Sequence, residues 1–545
     1  MAGLATTFGS GAMTNNIADF ANARCFLAIG TNTTEAHPVL AMKVRQAVHK
    51  GAKLIVINPV AVDFVREADL WLRNKSGSDV ALLMGMMKII YEENLYDADF
   101  VKNRCENFAA FIESLQHFPL DLVADISGVS PELITAAARL YATTTPAAIL
   151  YAMGLCEHSN GTDNVMAVGN LAMLTGNVGK PGSGVNPLRG QNNVQGACDM
   201  GALPNVFPGY QAVDNPSTRE KFEKAWGVTL NPHPGLKLTE MFPAALEGEI
   251  KALYIMGENP VLTDPDTNHI IAALQNLDFF VFQDIFLNET ARFADVILPA
   301  ACFAEKDGTF TNTERRVQRI RKAVEAPGLA RPDWDITSEI ARRMGANGFD
   351  FTSAEDVFNE MAALTPSYAG ISYSRLEKEG IQWPCPTPEH PGTPILHTQI
   401  FSRGKGYFVP LVYKRPVQQT TEAYPLILMT GRRLFHYHAT MARKVKGLNI
   451  LLSEECAEIN PADAAVYGIN DNEMIKVTSP QGEVKVRAKV TDKAPPGMVV
   501  MAFHFAECPT NCLISSHVET LDPVTRTPAY KTCPVRIARL EPITK

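Results

Sequence analysis

The sequence predicts an α/β protein with two Rossmann-like, doubly wound modules around a pseudo-twofold cleft, followed by a C-terminal β-barrel. Three observations predict this fold. Short apolar runs alternate with helical patterns in two stretches, which is typical of βαβ units in a parallel sheet. A glycine- and amide-rich loop, residues 179–201, separates those stretches. From Tyr424 the pattern changes to short strands with glycine turns, which is typical of a barrel of about 120 residues.

The composition is that of an ordinary globular chain of several domains. The 545 residues include 50 Lys and Arg against 58 Asp and Glu, so the net charge is −8. The absence of a basic block argues against a nucleic-acid partner. No apolar run reaches the ~18 residues of a membrane span, and the first residues lack the pattern of an export signal. We therefore expect a cytoplasmic protein without a membrane span.

Cysteine spacing gives no metal motif. The ten cysteines include no CxxC pair, so the sequence contains no zinc-ribbon or ferredoxin-type ligand set. Cys508 and Cys512 are the closest pair, and a metal site or redox pair there is one interpretation. Unpaired cytosolic thiols are the interpretation that we favour.

The first module begins with a predicted helix over Met13–Ala23. The apolar strand Cys25–Ile29, the helix His37–Lys50 and the strand Lys53–Ile57 follow it. This order within about thirty residues predicts a βαβ unit.

Polar turns follow the predicted strands of this module: Gly30–Thr34, Asn58-Pro59 and Lys75–Asp79. Ligands of open parallel sheets bind at the carboxyl ends of the strands, so these turns are candidate ligand sites. Ser78 or Asp79 has a simpler interpretation as a helix N-cap. Because the first turn lacks a complete GxGxxG, ordinary NAD binding is not indicated.

The rest of the chain follows the same pattern up to the barrel. We predict strands at Ala147–Met153, Ala252–Met256, Phe279–Phe282 and Asp295–Leu298, and helices at Val80–Asn94, Asp163–Thr175, Thr267–Gln275 and Arg331–Met344. The barrel strands are predicted at Leu426–Met429, Met474–Thr478, Glu483–Val490 and Met498–Ala502. The predicted domains are residues 1–191, 192–423 and 424–545.

Two segments between these elements have only a compositional interpretation. Glu305–Glu325 carries mixed charges, and Glu305, Arg315 and Arg316 are most simply a solvated face. Thr365–Arg415 is rich in proline and aromatic residues, which predicts a linker.

The loop 179–201 contains a single arginine, Arg189, among carboxamide side chains, and it has no apolar periodicity. It therefore reads as neither an amphipathic helix nor an ordinary strand. A guanidinium among amides suits a small carboxylate or the oxygens of a large polar cofactor. The alternative is an irregular connection between two domains. Cys198 and Asp199 read as structural, because nothing nearby in the sequence activates them.

Five motifs in order give the chain a family resemblance. GNVGKPG (176–182), NPLRGQNNVQGA (186–197), MGENP (256–260), ADVILP (294–299) and TGR (430–432) resemble the molybdopterin oxidoreductases. The most specific similarity is to catalytic subunits of formate dehydrogenases, and it extends over essentially all residues. The resemblance implies a bis(molybdopterin guanine dinucleotide) cofactor that carries molybdenum or tungsten.

The resemblance also implies roles for individual residues, carried over motif by motif. Arg189 corresponds to the arginine that orients the formate carboxylate, and we predict it as the catalytic residue. The positions predicted to contact the cofactor are Asn32, Asn58, Gly77, Asp79, Arg189, Gly190, Gln191, Gly257, Asn259, Asp284, Thr430, Arg432, His438, Asn511, Tyr530 and Lys531. No residue is predicted as a metal ligand. The implied reaction is formate oxidation to CO2, or its reverse.

The family pattern also includes an N-terminal four-cysteine iron–sulfur domain and a Cys or selenocysteine metal ligand before Ala2-Gly3-Leu4. We hypothesise that a selenocysteine codon was read as a stop, with a split gene or an expression fragment as alternatives. A 4Fe-4S cluster is then expected only in the missing part, and the 545 residues alone are expected to be inactive.

The expected partners are formate or CO2 and either an iron–sulfur electron-transfer subunit or that N-terminal domain. Two other functions stay open: a non-catalytic structural subunit of an electron-transfer complex, and another molybdopterin oxidoreductase such as a nitrate reductase. The retained arginine-amide loop favours formate dehydrogenase over both.

Overall fold

The computed structural model describes residues 1–439 and 443–540. The chain divides into two compact units. The first contains Met1–Leu188, Pro260–Ile270 and Ile395–Lys545, and the second contains Arg189–Asn259 and Ile271–Pro394. The division into three domains drawn from the sequence stays a prediction.

Residues 1–188 alternate strands and helices as the sequence predicts. The strands are β1 Cys25–Ile29, β2 Lys53–Ile57, β3 Leu70–Leu72, β4 Cys105–Glu106, β5 Ala147–Tyr151 and β6 Gly184–Pro187. The helices are α1 Ala2–Phe8, α2 Thr33–Ala36, α3 Pro38–His49, α4 Asp79–Glu92, α5 Ala98–Arg104, α6 Phe108–Leu115, α7 Leu120–Ser127, α8 Pro131–Thr143, α9 Met153–Cys156 and α10 Gly161–Leu174, with 3-10 helices at Ala18–Asn22 and Asp63–Glu67.

Five of these strands form one parallel sheet in the order β3-β2-β1-β5-β6. Every residue of β1 and of β5 is buried. Continuous apolar runs of this kind suit a parallel strand that is covered on both faces. The helix α4 packs against α8 and α10, and eleven of its residues are buried.

The helix predicted over Met13–Ala23 is wrong for most of its length, because only Ala18–Asn22 is helical, as a 3-10 helix. Side chains there bond the backbone and one another. Asn15 Nδ2 donates to Asp19 Oδ2 at 2.7 Å, and Asn16 Oδ1 accepts from the Asp19 N–H at 2.7 Å. Local bonds of this type compete with helical hydrogen bonds.

Residues 189–394 contain the second set of elements. The strands are β7 Val206–Phe207, β8 Gln211–Ala212, β9 Ala252–Met256, β10 Phe279–Asp284, β11 Val296–Pro299, β12 Gly308–Thr311, β13 Arg316–Ile320 and β14 Ile381–Gln382. The helices are α11 Val194–Asp199, α12 Pro216–Trp226, α13 Leu238–Leu246, α14 Pro260–Thr263, α15 Thr267–Gln275, α16 Asp333–Arg343 and α17 Ala354–Leu364, with 3-10 helices at Thr290–Phe293, Phe303–Glu305 and Arg375–Glu377.

The strands β11-β10-β9 form a parallel sheet, and β12-β13-β14 form an antiparallel one. The solvated face predicted around Arg315 is wrong. Arg315 lies in the turn between β12 and β13 and is fully buried. Its guanidinium donates to the backbone carbonyls of Trp383 and Thr393, the latter at 2.9 Å. Hydrogen bonds to carbonyls compensate for the loss of water, so the buried cation is tolerated.

The prediction of a linker at Thr365–Arg415 is also wrong for the first part of that segment. That part contributes β14 to the antiparallel sheet, and it buries Trp383 and Cys385. The aromatic residues that made it resemble an irregular linker are core residues.

Residues 395–540 hold β15 Gly406–Tyr407, which pairs with β4, and a barrel. The barrel strands are β16 Leu426–Gly431, β17 Cys456–Ile459, β18 Met474–Thr478, β19 Glu483–Val490, β20 Met498–Ala502 and β21 Cys533–Arg539, closed in the order β16-β20-β17-β19-β18-β21. The helices are α18 Lys446–Leu451 and α19 Pro461–Tyr467, with 3-10 helices at Thr510–Leu513 and Val518–Thr520. The strands β17 and β21 were not predicted from the sequence.

The predicted fold class is confirmed: an α/β protein with parallel sheets and a closed C-terminal barrel. The glycine-rich loop is more ordered than predicted. It contains the buried strand β6 and the short helix α11, since the pairing of β6 with β5 satisfies its backbone. No helix among the described residues has the length and apolar character needed to cross a membrane.

Candidate cofactor and substrate site

The carboxyl ends of β1, β2 and β3 meet at Asn58. Its side-chain Nδ2 donates to the Thr31 carbonyl at 3.4 Å, and its backbone N–H donates to the Leu72 carbonyl at 3.2 Å. The Trp71 indole N–H donates to the Asn58 carbonyl at 2.9 Å. Asn58 and the turn that holds Asn32 therefore lie together at one edge of the sheet, which is where an open parallel sheet binds ligands.

Gly77 and Asp79 precede and begin the helix α4. Gly77 has φ +83°, and a Cβ there would lie 2.5 Å from Pro416 Cγ. The Asp79 carboxyl is buried and accepts a bond of 3.3 Å from Asn74 Nδ2. Burial raises the pKa of this carboxyl to about 7. A buried acid with so few donors suits a ligand that brings hydrogen-bond donors of its own.

Lys531 joins the barrel to the ends of the first sheet. Its Nζ donates to the carbonyl and the Oγ1 of Thr430, at 2.8 and 3.1 Å. The same ammonium lies 2.5 Å from the carboxylate of Glu157, which follows β5 and α9. The Lys531 carbonyl accepts a 2.7 Å bond from Ser76, beside Gly77. The structure thus brings Gly77, Thr430 and Lys531 together.

Asn511 and Tyr530 contact the same short segment. Asn511 Nδ2 donates to the carbonyls of Leu262 and Thr263, the latter at 2.6 Å, and the Tyr530 hydroxyl donates to the Thr263 carbonyl at 3.1 Å. The backbone N–H of Thr430 donates to the Tyr530 carbonyl at 3.0 Å. These predicted contacts therefore form one connected group with Lys531.

Arg432 and His438 follow β16. The backbone of His438 has φ +49°, and its imidazole packs edge-on against Phe503 at 5.4 Å between ring centroids. Burial, with Arg432 close by, lowers the pKa of His438 to about 4. His438 is therefore neutral at physiological pH and can accept one hydrogen bond.

Two buried asparagines that were not predicted as site residues have amide groups without protein partners. Asn186 lies on β6, and Asn160 precedes α10. Neither the Nδ2 nor the Oδ1 of these residues has a hydrogen-bond partner among the described residues. The Oδ1 atoms of Asn32 and Asn511 share this condition.

An unpaired buried polar atom costs about 1–3 kcal/mol and calls for an explanation such as a ligand. Such donors and acceptors fit a large polar cofactor. Asn186 belongs to the amide-dense run NPLRGQNN, and this run was the sequence signal that could have identified it.

In the second unit, the ends of β9 and β10 carry Gly257, Asn259 and Asp284. Asn259 is buried, donates to Glu289 Oε2 at 2.7 Å and accepts from the Thr290 hydroxyl at 2.8 Å. The Asp284 carboxylate accepts from the Ile285 N–H at 2.6 Å and from Asn288 Nδ2 at 3.2 Å. The Gly257 N–H donates to the Gln283 carbonyl at 2.8 Å, so these three predicted residues share one sheet edge.

Arg189 begins the second unit, directly before Gly190 and Gln191. Its backbone N–H donates to the Thr313 hydroxyl at 3.1 Å, and its Nη1 lies 4.0 Å from the Cys198 sulfur. Burial raises the pKa of Cys198, so this thiol stays neutral next to the guanidinium.

Asp199 is fully buried and accepts from Gln195, Tyr210 and Trp383 at 2.8 Å each, and from Tyr368. Among the described residues no three His, Cys, Asp or Glu side chains are grouped so that they could hold a metal ion.

Residues 3–343 match the family described as Molybdopterin oxidoreductase, and residues 426–534 match the Molydopterin dinucleotide binding domain. The chain belongs to the molybdopterin oxidoreductase family and is an oxidoreductase. It is 47% identical over 542 residues to the F420-dependent formate dehydrogenase 1 subunit alpha of Methanococcus maripaludis, covering 99% of this chain and 80% of that protein.

Formate dehydrogenase H of Escherichia coli is 41% identical over 551 residues, which cover 100% of this chain and 76% of that protein. Among solved structures, the acetylene hydratase of Pelobacter acetylenicus matches with a TM-score of 0.79 at 23% identity. That match covers 99% of this chain and 80% of the other, and it supports the fold alone.

Proposed function

We propose that this chain is the catalytic alpha subunit of a formate dehydrogenase, which oxidises formate to CO2 and can catalyse the reverse reaction. The observation that carries the proposal is the presence of Arg189, whose backbone N–H donates to the Thr313 hydroxyl. The chain that contains it is similar over nearly its full length to formate dehydrogenases. Formate has no functional group other than its carboxylate. A guanidinium can bind both carboxylate oxygens and so direct the C–H bond.

The reaction breaks the formate C–H bond and releases CO2, one proton and two electrons. When bound, a bis(molybdopterin guanine dinucleotide) with molybdenum or tungsten supplies the two-electron acceptor. The chain contributes the binding of formate through Arg189, with Gly190 and Gln191 beside it. Their contacts to the cofactor remain part of this proposal.

We assign the two dinucleotides to the two parallel sheets. Asn32, Asn58, Gly77 and Asp79 would hold one, and Gly257, Asn259 and Asp284 would hold the other. The buried Asp79 carboxyl can accept hydrogen bonds from the amino and ring N–H groups of a guanine, which would relieve its unfavourable burial. Asn160 and Asn186 join this set because their buried amides lack partners among the described residues.

The barrel residues would complete the binding of the pterins. Thr430 lies in β16, Arg432 and His438 follow that strand, and Asn511, Tyr530 and Lys531 come from the last part of the chain. The buried ammonium of Lys531 can bond a phosphate or a pterin carbonyl in addition to Glu157.

We also propose an iron–sulfur protein or domain as the electron acceptor, because electrons must leave the site one at a time or in pairs through a redox partner. A cytoplasmic location is proposed too. It is supported by the ten cysteines, all of which are free, as expected in a reducing compartment.

Formate-dependent reduction of a viologen dye by the enzyme purified from its native cell tests the proposal, with metal analysis to distinguish molybdenum from tungsten. We expect activity with formate and a rise in KM of about 100-fold in Arg189→Lys, since a misplaced contact can cost that much. Arg219→Lys, on the helix α12, is the control. Nitrate reduction with dithionite-reduced dye would support the nitrate reductase alternative, and no activity with either substrate would support a structural subunit.

A further inference from the structure

The Asp199 carboxylate is the centre of a buried hydrogen-bond network in the second unit. Gln195 and Tyr210 donate to its Oδ1, while Trp383 and Tyr368 donate to its Oδ2. Burial raises the pKa of the carboxyl, and these four donors oppose that rise. A carboxylate that receives four hydrogen bonds in a dry interior has a fixed position.

This network continues along the chain toward Arg189. Asp199 and Cys198 are neighbours at the end of α11, and the Cys198 sulfur contacts the Arg189 guanidinium at 4.0 Å. The Tyr368 hydroxyl also bonds Thr311 Oγ1 at 3.1 Å. The Thr311 N–H in turn donates to Asn193 Oδ1 at 2.8 Å, at the start of α11. Both ends of this helix are therefore held.

The glycine within α11 is part of the same arrangement. A Cβ on Gly196 would lie 2.2 Å from Asn193 Oδ1. Only a glycine leaves room for that carboxamide to accept the Thr311 N–H. The bonds of Arg189 to Thr313 and of Asn193 to Thr311 fix the loop 189–193 on the strand β12 and its turn.

Arg315 contacts Trp383, and its guanidinium carbon is 5.5 Å from the centre of the indole ring. It bonds the Trp383 carbonyl and donates to the Pro394 carbonyl at 3.2 Å. Arg315 thus holds the backbone of the residue whose indole donates to Asp199. The buried Arg315 guanidinium also interacts electrostatically with the Asp199 carboxyl.

We propose that Asp199 is a positioning residue for Arg189, acting with Tyr368 and Trp383 to fix α11 and thereby the guanidinium that binds the substrate carboxylate. This inference rests on the proposed function, in which Arg189 binds formate. A network that merely stabilises the fold would change the stability of the protein without changing its affinity for formate.

Tyr368→Phe tests the proposal, because it deletes one hydroxyl and leaves the ring. Tyr373→Phe is a matched control: both rings pack against Phe358, at 6.2 and 5.5 Å between centroids, and both residues are buried. The measurements on the metal-loaded enzyme are KM and kcat for formate, the inhibition constant of azide, a triatomic anion isoelectronic with CO2, the melting temperature and the metal content.

We expect Tyr368→Phe to raise the KM for formate and the azide inhibition constant by about 10-fold, as a modest misplacement of a binding group does. We expect kcat to change less than KM, with metal content equal to that of Tyr373→Phe. Tyr210→Phe, which removes another donor from a more exposed residue, should shift both constants in the same direction. It keeps the test decisive if Tyr368→Phe does not fold.

Equal KM and azide constants in Tyr368→Phe, Tyr210→Phe and Tyr373→Phe would overturn the positioning role, even if melting temperatures differ. If the wild-type enzyme oxidises formate and Arg189→Lys loses affinity, that result leaves the proposed function intact and removes only this inference. If the wild-type enzyme does not oxidise formate, both fall.

Discussion

The two parallel sheets of this protein are built from the same kind of apolar strand. They differ in how well the strands are covered and in how the polar residues at the strand ends are hydrogen-bonded. In the sheet β3-β2-β1-β5-β6, the strands β1 and β5 are buried along their whole length. In the sheet β11-β10-β9, the strand β9 alternates between exposed and half-buried residues, with Tyr254 and Met256 at 41% and 46% exposure. The first sheet is thus a core, while the second has one sparsely covered face.

The hydrogen bonding of the polar residues around the two sheets shows the opposite difference, because those of the exposed second sheet have protein partners and two around the buried first sheet do not. In the second sheet Asn259 bonds Glu289 and Thr290, and Asp284 bonds Asn288. Around the first sheet, Asn186 and Asn160 are buried and their amides lack partners among the described residues. Buried amides without partners among the described residues call for an explanation, and a bound ligand is the one that the proposed function gives.

The largest expected effect comes from Lys531→Met in the group that joins the barrel to the first sheet. It leaves the Glu157 carboxylate without its buried cation and should lower the free energy of unfolding by about 3–5 kcal/mol. Urea titration followed by circular dichroism measures it. Lys476→Met is the control, since its pair with Glu483 is exposed and should be worth at most about 1 kcal/mol. Equal losses in the two variants would contradict the buried role of Lys531.

Asp79→Asn should alter the pH dependence of stability. The pKa of the folded-state carboxyl is about 7, above its ordinary value of 3.8, so the folded protein retains a proton that the unfolded chain releases. The stability contributed by this group therefore falls as pH rises from about 4 to 7 and then levels off. In cofactor-free protein the variant should gain up to about 4 kcal/mol over wild type at pH 8 and little at pH 4.

Urea midpoints at a series of pH values measure this difference, with Asp121→Asn on the surface of α7 as the control. A constant difference between wild type and Asp79→Asn across the pH range would show that the Asp79 pKa is not raised.

A pair of asparagine substitutions tests the comparison of the two sheets directly. Asn186→Leu removes amide atoms that lack partners among the described residues, so cofactor-free protein should be as stable as wild type or about 1 kcal/mol more stable. Asn259→Leu removes the side-chain hydrogen bonds to Glu289 and Thr290 and should cost about 1–3 kcal/mol. Thermal unfolding measures both. The reverse order of stabilities would refute the view that the first site is the unsatisfied one.

The two predicted cofactor glycines allow the two sheets to be compared at positions without a side chain. Both have positive φ, +83° at Gly77 and +67° at Gly257, but a Cβ on Gly77 would meet Pro416 whereas Gly257 faces open space. Gly257→Ala should cost about 1 kcal/mol for the backbone alone, and Gly77→Ala should cost about 1–3 kcal/mol more because the neighbour must move. Melting temperatures would measure the difference, and equal shifts would contradict it.

The parallel-sheet elements were predictable because their signals are local. The runs Cys25–Ile29, Lys53–Ile57 and Ala252–Met256 are strands with the same bounds in the structure. In an α/β chain, a short continuous apolar run between polar turns is typical of a buried parallel strand. The barrel strands β17 and β21 were missed because β17 is short and carries Glu458, while β21 contains a proline and two arginines.

The buried network around Asp199 could not be predicted in the same way. Arg315 lies in a run of alternating charges, which ordinarily indicates a solvated surface. Its burial depends on carbonyls of Trp383, Thr393 and Pro394, which are about 70 to 80 residues further along the chain. Asp199 likewise receives donors from Tyr368 and Trp383, at sequence separations of 169 and 184. Local sequence contains no trace of such contacts.

The sequence by itself determined the α/β class, the barrel, the family motifs and the candidate residues at the strand ends. These follow from the spacing of apolar residues and from residue types that a short stretch of chain displays. Only the tertiary structure decided which polar side chains are satisfied. Asn259 and Asn186 look alike in sequence, yet the first is bonded by its neighbours and the second is buried with an amide that lacks partners among the described residues. The physical reason is that the cost of burying a polar group depends on the partners that distant segments bring to it.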